Sequence, residues 1–278
     1  MIDCHAHLWD PDRGFGWIRP GSPHHQAYDE ADLARSGDGV GELSGTVLVE
    51  ASRGDTGETA ALRELRLRRP DLVAGYVGNL HVHGEDGPEP FEELLRDGGD
   101  TRPNGMRLGG ASLPDTPASA RALVPVLDAA GLVLELNLHH RALASAADLA
   151  DRHPGLTLVV DHLGNAPNLA TGDPENTAQW HRDLDRAAAA PNVLVKISGL
   201  LTQQHGVAPA RVAGLVRHVV DVLGPDRCLV GSDWPICLPS GTRADSLALS
   251  RNGLDRLTPE QRERVLHGNA VRAYRLRC

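Results

Sequence analysis

Apolar residues recur along the chain in two alternating registers. Short β-branched and Leu-rich runs of strand length are separated by longer Ala-, Leu- and Arg-rich stretches with helical period. The short runs fall at residues 2–7, 46–50, 72–78, 105–108, 132–138, 156–162, 193–198 and 227–233, which predicts eight strands. Helical spacing covers 57–69, 90–96, 117–130, 141–153, 176–189 and 209–223, and a helix over 258–274 closes the chain. The start of that last helix is well marked. Thr258 and Gln261 have capping-box spacing, and Pro259 falls at the first helical position. Strand–helix alternation repeated eight times in 278 residues predicts an α/β protein, a (β/α)8 TIM barrel forming a single domain over residues 1–278. A doubly wound sheet is the rival, but no glycine-rich fingerprint follows the first strand. The irregular stretches 9–39 and 163–176 are too long for plain connections, and loops over the barrel mouth are expected there.

Alternate residues of a strand share a face, and in a parallel barrel the helices cover the outer one. The strictly aliphatic positions should therefore point outward, and the polar ones inward toward the C-terminal mouth. On the first strand this puts Asp3, His5 and His7 on one face and Ile2, Cys4 and Ala6 on the other. The fifth strand sends Leu134, Leu136 and Leu138 outward and Glu135, Asn137 and His139 inward. The seventh sends Val193, Val195 and Ile197 outward, leaving Lys196 and Ser198 inside, and the fourth points Arg107 inward. The sixth and eighth strands end in His162 and Asp233, where barrel enzymes carry catalytic groups. Polar groups converging on one end of a barrel are costly to bury unless they bind something.

Composition narrows the chemistry. Asp and Glu number 37 against 28 for Lys and Arg, a net charge of −9, which argues against nucleic acid or an anionic membrane as partner. No apolar run approaches the length of a membrane span, and the opening MIDCHAH does not look like a signal peptide, so a cytoplasmic location is expected. Cys4, Cys228, Cys237 and Cys278 form no CxxC pair, which suggests neither a zinc knuckle nor a disulfide framework. There are 14 histidines and a single lysine, Lys196, among many arginines. A lone lysine hints at a place where a compact ammonium does what a guanidinium fork cannot. His5 and His7, two residues apart on one strand, point the same way and can reach one ion about 2 Å from each ring nitrogen. His-X-His alone is a weak signal, since His24-His25, His139-His140 and His81-Val82-His83 also occur here. Ahead of an eighth-strand Asp it becomes a strong one.

At these residues the chain resembles the amidohydrolase superfamily, in particular its sugar-lactonase and pyrone-dicarboxylate-lactonase branch. IDCHAHLWD is similar to the family's first-strand motif, VDHLGNAP to its sixth-strand His signature and VLVKISGL to the seventh. CLVGSDWPI is similar to the eighth-strand Asp motif, and LHGNAVRAYRL to the closing helix. The motifs stand in order over residues 2–276. The resemblance implies a metal site at His5, His7, His162 and Asp233, with Asp233 as general base and His162 polarising the substrate carbonyl. It implies substrate contacts from Arg107 and Lys196, with Trp9 and Trp234 walling the pocket; Glu50, Asn137 and His24 are further candidates. Arg107 and Lys196 have a structural alternative, pairing with inward acids such as Glu50 or Glu135. One divalent metal ion, zinc or manganese, is implied, with a metal-free enzyme as the alternative. A binuclear site bridged by a carboxylated lysine is not expected, because the only lysine lies on the seventh strand.

The expected reaction is hydrolysis of a small-molecule lactone, either a sugar lactone or a carboxylated one. The rival reading is a metal-dependent non-oxidative decarboxylase. In that relative a His usually follows the Pro of the eighth-strand motif, whereas Ile236 follows Pro235 here. Hydrolysis of another cyclic ester or amide in a biosynthetic pathway is a further alternative, and a non-catalytic binding protein the remotest. A homodimer is a candidate assembly.

Overall fold

A computed structural model of the protein describes residues 1–277; Cys278 lies outside the described residues. The strands are β1 (Ile2–Ala6), β2 (Gly45–Val49), β3 (Val73–Asn79), β4 (Gly105–Gly110), β5 (Val133–Leu138), β6 (Thr157–Val160), β7 (Val193–Ile197) and β8 (Cys228–Val230). They pair in parallel in sequence order. The ring is drawn together between its ends by the backbone of residues expected at the site. Asp233 N–H donates to the His5 carbonyl, and His7 N–H to the Trp234 carbonyl, each at 2.7 Å. This is the (β/α)8 barrel that the periodicity predicts.

Two apolar layers hold it. Leu134, Leu136 and Leu138 face outward and pack with helix residues such as Leu127, Leu143 and Leu149. Inside, Val133, Val159, Leu194 and Leu229 meet Tyr274 and Leu276 from the C-terminal segment, which plugs the barrel floor. Three of these inner strand residues are followed two positions later by a polar one. Val133 leads to Glu135 and Asn137, Val159 to Asp161, and Leu194 to Lys196 and Ser198, so the interior changes from apolar floor to polar mouth.

The alternation expected on β1 does not hold. Its register against β2 runs Ile2↔Gly45, Asp3↔Thr46 and then Ala6↔Leu48, three steps against two. This bulge inserts one residue and shifts the phase. Ile2 and Cys4 therefore join the inner cluster. Asp3 turns outward, where Arg243 Nε meets its Oδ2 at 2.8 Å. Arg243 also donates to the Leu33 carbonyl, Ser36 Oγ and Thr46 Oγ1. Asp3 Oδ1 accepts from His5 N–H at 3.1 Å and Ser232 N–H at 2.9 Å. A buried ion pair this well satisfied fixes geometry more than it adds stability. Here it ties β1 and β2 to the turn that carries Asp233.

Helices follow the strands, with differences from expectation that have local causes. The stretch 117–130 divides into Ala118–Ala122 and Val124–Ala130, with Pro125 in the first turn of the second piece. The closing helix runs as Pro259–Glu263, a π turn over Arg264–Gly268, and Asn269–Tyr274. Helix Arg243–Asn252, absent from the expected set, follows β8 and starts on a Thr242–Asp245 capping box. The loop after β1 carries a short helix, Glu30–Ser36. Among the described residues, no helix is long and apolar enough to cross a membrane.

Candidate active site

β6 and β8 end at Val160 and Val230, short of the apolar runs that predict them. The chain leaves each strand so that His162 (φ 54°) and Asp233 (φ 60°) adopt left-handed backbone. Few non-glycine residues do so, and His and Asp are among the types that tolerate it. Such conformations cost about 1–3 kcal/mol each and cluster at functional sites. Close approach of neighbouring backbone leaves no room for side chains around these groups. A Cβ on Gly199 (φ +67°) would lie 2.8 Å from His162 Nδ1, and one on Gly231 would lie 2.6 Å from His5 Cβ.

His5, His7 and Asp233 converge. His5 Nε2 and His7 Nε2 are 3.1 Å apart, and Asp233 Oδ1 lies 3.7 Å from the first and 3.5 Å from the second. His7 Nδ1 sits 2.9 Å from the Val49 carbonyl and 3.1 Å from that of Glu50. Carbonyls only accept, so Nδ1 carries the proton and Nε2 presents a lone pair to the other two groups. Two imidazoles and a carboxylate, buried and aimed at one point, are a donor set suited to a divalent cation. The expected fourth member, His162, lies tilted against His5 with ring centroids 4.5 Å apart, and its Nδ1 lies 3.0 Å from Ser198 Oγ. It belongs to a second grouping, with His5 and Asp161. An ammonium already occupies the edge of that grouping: Lys196 Nζ is 3.1 Å from Asp161 Oδ1 and 3.2 Å from His5 Nδ1.

Lys196 thus lies below the mouth rather than in it. It is fully buried, its Nζ is 2.7 Å from Glu135 Oε2, and the Tyr274 hydroxyl donates to Glu135 Oε1 at 2.5 Å. The pairing alternative describes this lysine, and substrate contact does not. Burial alone would lower its pKa, but Asp161 and Glu135 outweigh that and raise it. Asp161 is the reciprocal case: burial would push its carboxyl up, and Lys196 and His5 hold it well below the usual range. Burial would raise Asp233 too, yet the imidazoles of His162, His7 and His5 bring it down to about 2. Burial depresses His162 below the ordinary imidazole value despite the pull of Asp233 and Asp161. At neutral pH the site therefore holds an ionised Asp233 beside a neutral His162.

Above these groups opens a cleft of about 470 Å³, with Asp233, His162 and His7 exposed to its base. Arg107, Asn137, His139 and Asn165 form a polar side, and Trp9, Trp17 and Ile236 an apolar one. Arg107 reaches the cleft, but its charge is already balanced. Its Nε lies 2.5 Å from Glu50 Oε1, and its Nη2 donates to the Glu50 carbonyl at 2.7 Å. Glu50 supports Arg107 rather than lining the cleft, and it also accepts from Ser52 N–H and Asn79 Nδ2. Trp9 Nε1 donates to the carbonyls of His24 and Gln26, which pins the loop after β1 across the mouth. His24 stands behind this wall, its ring centroid 6.0 Å from Trp9 and 6.2 Å from Trp17. Trp234 is buried away from the cleft against Tyr28, with centroids 5.4 Å apart.

Sequence reasoning passed over Asp161, Trp17 and Asn165. Asp161 could have been found, since it shares the parity of Val159 and immediately precedes His162. Trp17 and Asn165 lie in loops, where no periodicity reports direction.

The family pattern described as Amidohydrolase matches residues 2–276. An L-fucono-1,5-lactonase from Burkholderia ambifaria is 33% identical, over 99% of this chain and 95% of that one. Another, from Burkholderia multivorans, is 29% identical over 99% and 96%. A crystal structure of a Burkholderia multivorans amidohydrolase with bound zinc superposes with a TM-score of 0.82 at 28% identity, covering 99% of each chain. With the His-X-His strand, the eighth-strand Asp and the barrel that joins them, these likenesses show that the chain belongs to the amidohydrolase family and is a hydrolase.

Proposed function

We propose that the protein hydrolyses a neutral, polyhydroxylated sugar lactone, with Asp233 as general base at a site for one divalent cation, zinc or manganese. The observation that carries this reading is the ionised Asp233 carboxylate, set 3.5 Å and 3.7 Å from two imidazole nitrogens at the base of a polar cleft. Similarity to two L-fucono-1,5-lactonases supports the lactone.

His5, His7 and Asp233 would hold the cation, which supplies Lewis-acid polarisation and acidifies water when bound. Asp233 takes a proton from the attacking water, and the new C–O bond forms at the lactone carbonyl. With the Ser198 hydroxyl, 3.0 Å from His162 Nδ1, as donor to that nitrogen, Nε2–H would be free to donate to the developing oxyanion. The ring C–O bond then breaks, and Asp233 returns its proton to the leaving alkoxide, giving the open hydroxy acid. Asn137 and His139 provide hydrogen-bonding groups for ring hydroxyls. Trp17 offers an aromatic face that is 42% exposed for the apolar side of a sugar ring.

The charge balance selects the substrate class. Arg107 is neutralised by Glu50 and Lys196 is sealed below, so the cleft has no spare cation among its described lining residues to match a dicarboxylate. Ile236 in the cleft, where the decarboxylase pattern would place a histidine, favours hydrolysis over decarboxylation. The test is a comparison of kcat/KM for L-fucono-1,5-lactone and for 2-pyrone-4,6-dicarboxylate. The neutral lactone should be preferred by at least about 10-fold, since one unmatched charge-assisted hydrogen bond is worth 1.5 kcal/mol or more. Preference for the dicarboxylate would contradict this reading.

A further inference from the structure

We propose that His181 and His218 form a second metal site, on the outer face of the barrel, which takes copper(II) through one nitrogen of each imidazole. His181 lies on helix Pro174–Ala189 and His218 on helix Pro209–Leu223. His181 Nδ1 and His218 Nε2 stand 3.0 Å apart, with ring centroids 4.8 Å apart at 71°. The core holds both helices: Trp180, Leu184 and Ala187 are buried on the first, and Val212, Val216 and Val219 on the second. Trp180 lies against both rings, with centroids 5.0 Å and 6.3 Å away, and is itself fixed by donation from Nε1 to the Leu163 carbonyl at 2.8 Å. The pair is therefore placed before any ion arrives, while His181 stays open to solvent.

Two neutral imidazoles in contact share one N–H in an N–H···N bond, or each keeps its proton on the far nitrogen and presents a lone pair to an ion. Nitrogens about 2.0–2.1 Å from an ion stand about 2.9 Å apart when cis on a square-planar centre and about 3.3 Å apart on a tetrahedral one. The observed 3.0 Å lies nearer the first. Copper(II) and nickel(II) adopt that geometry, and of the two copper(II) binds such ligands more tightly. The flanking arginines are directed to other partners. Arg182 donates to Gln179 Oε1 at 2.7 Å, Arg217 to Asp255 Oδ1 at 3.1 Å, and Arg186 pairs with Asp148. Asp185, one turn beyond His181, adds a negative charge. Partial burial, with His218 beside it, lowers the His181 pKa more than Asp185 raises it, so this ring is neutral at neutral pH. Neither histidine lines the cleft above His7 and Asp233, so the site stands apart from the catalytic reading.

The test titrates copper(II) chloride into the full-length wild type, His181→Gln and His218→Gln at neutral pH, read by calorimetry, with circular dichroism confirming the fold of all three. The donor set of His5, His7 and Asp233 is common to the three proteins, so its copper cancels from the difference. The wild type should bind one more equivalent than either variant, or bind that equivalent at least about 100-fold more tightly, since losing one of two preplaced ligands forfeits their effective concentration. The electron paramagnetic resonance difference spectrum, wild type minus variant, should show copper coupled to ring nitrogen. Equal stoichiometry and affinity in all three proteins would overturn the proposal, as would a difference spectrum without nitrogen coupling. The readout needs no lactone, so a wrong choice of substrate would leave it unchanged.

Discussion

Lys196→Met is the sharpest perturbation of the barrel interior. The lysine is fully buried, and its ammonium sits 2.7 Å from Glu135 and 3.1 Å from Asp161, which are themselves fully buried or nearly so. Methionine fills most of the space but leaves both carboxylates facing each other with Tyr274 and His5 as the remaining partners. Removing one member of a buried ion pair costs about 3–5 kcal/mol, because the stranded charge stays desolvated. At roughly 2–4 °C per kcal/mol for a chain somewhat smaller than this one, Tm should fall by about 6–20 °C. The loss depends on pH in a defined direction. Asp161 is held below its ordinary value of 3.8, so its contribution is present above that value and disappears as pH falls toward the folded-state pKa. Lys196 is raised above 10.5, so its contribution is present below that value and disappears as pH rises beyond it. The Tm difference between wild type and variant should therefore be widest across the neutral range. Adding Glu135→Gln should recover part of the loss, because one stranded charge is gone and Tyr274 can still donate to the amide oxygen. Scanning calorimetry of the three proteins decides it. A single-variant Tm within about 2 °C of wild type would show that the Lys196 ammonium does not neutralise the two buried carboxylates.

Other expectations follow from the same geometry. Gly199→Ala places a methyl group 2.8 Å from His162 Nδ1 on a left-handed backbone, so it should cost about 1–2 kcal/mol of stability and lower kcat more than it changes KM. Unchanged kcat would remove His162 from the chemistry. The pH profile of kcat/KM should be flat through neutrality, with its acid limb below 6.5, because burial depresses His162 and Asp233 titrates near 2. An acid limb centred above 6.5 would contradict those environments.

The parts of this site that were legible in the sequence are those whose direction follows from strand parity or from a strand's end. His5, His7, His162 and Asp233 belong here. Their two groupings share His5, and the eighth-strand position of Asp233 closes the ring beside β1. Parity also placed Lys196 and Arg107 inside correctly, but parity gives a face and not a depth. Lys196 stands two residues above the floor residue Leu194 and therefore meets Glu135 and Asp161, while Arg107 reaches the cleft only as the partner of Glu50. Asp3 was assigned to the wrong face because a bulge appears only in the register of two strands and leaves no mark on one. Helix Arg243–Asn252 escaped notice because its buried face carries Arg243, Ser246 and Ser250 among the leucines, so its apolar period is broken. Those polar residues are buried by design of the contacts, Arg243 on Asp3 and Ser246 on the Ser232 carbonyl. Trp234 was expected beside the substrate from its place next to Asp233. The left-handed turn at Asp233 sends the two side chains apart, and Trp234 packs on Tyr28 instead.

The role of Asp233 as the base of a lactone hydrolase is decided by comparing the wild type with its amide variant. Hydrolysis of L-fucono-1,5-lactone would be followed by proton release for the wild type and for Asp233→Asn, with circular dichroism confirming the fold of both. The wild type should turn over, and the variant should lose about 100- to 10,000-fold in kcat, the range for removal of a general base. Turnover by Asp233→Asn within a few-fold of wild type would contradict it.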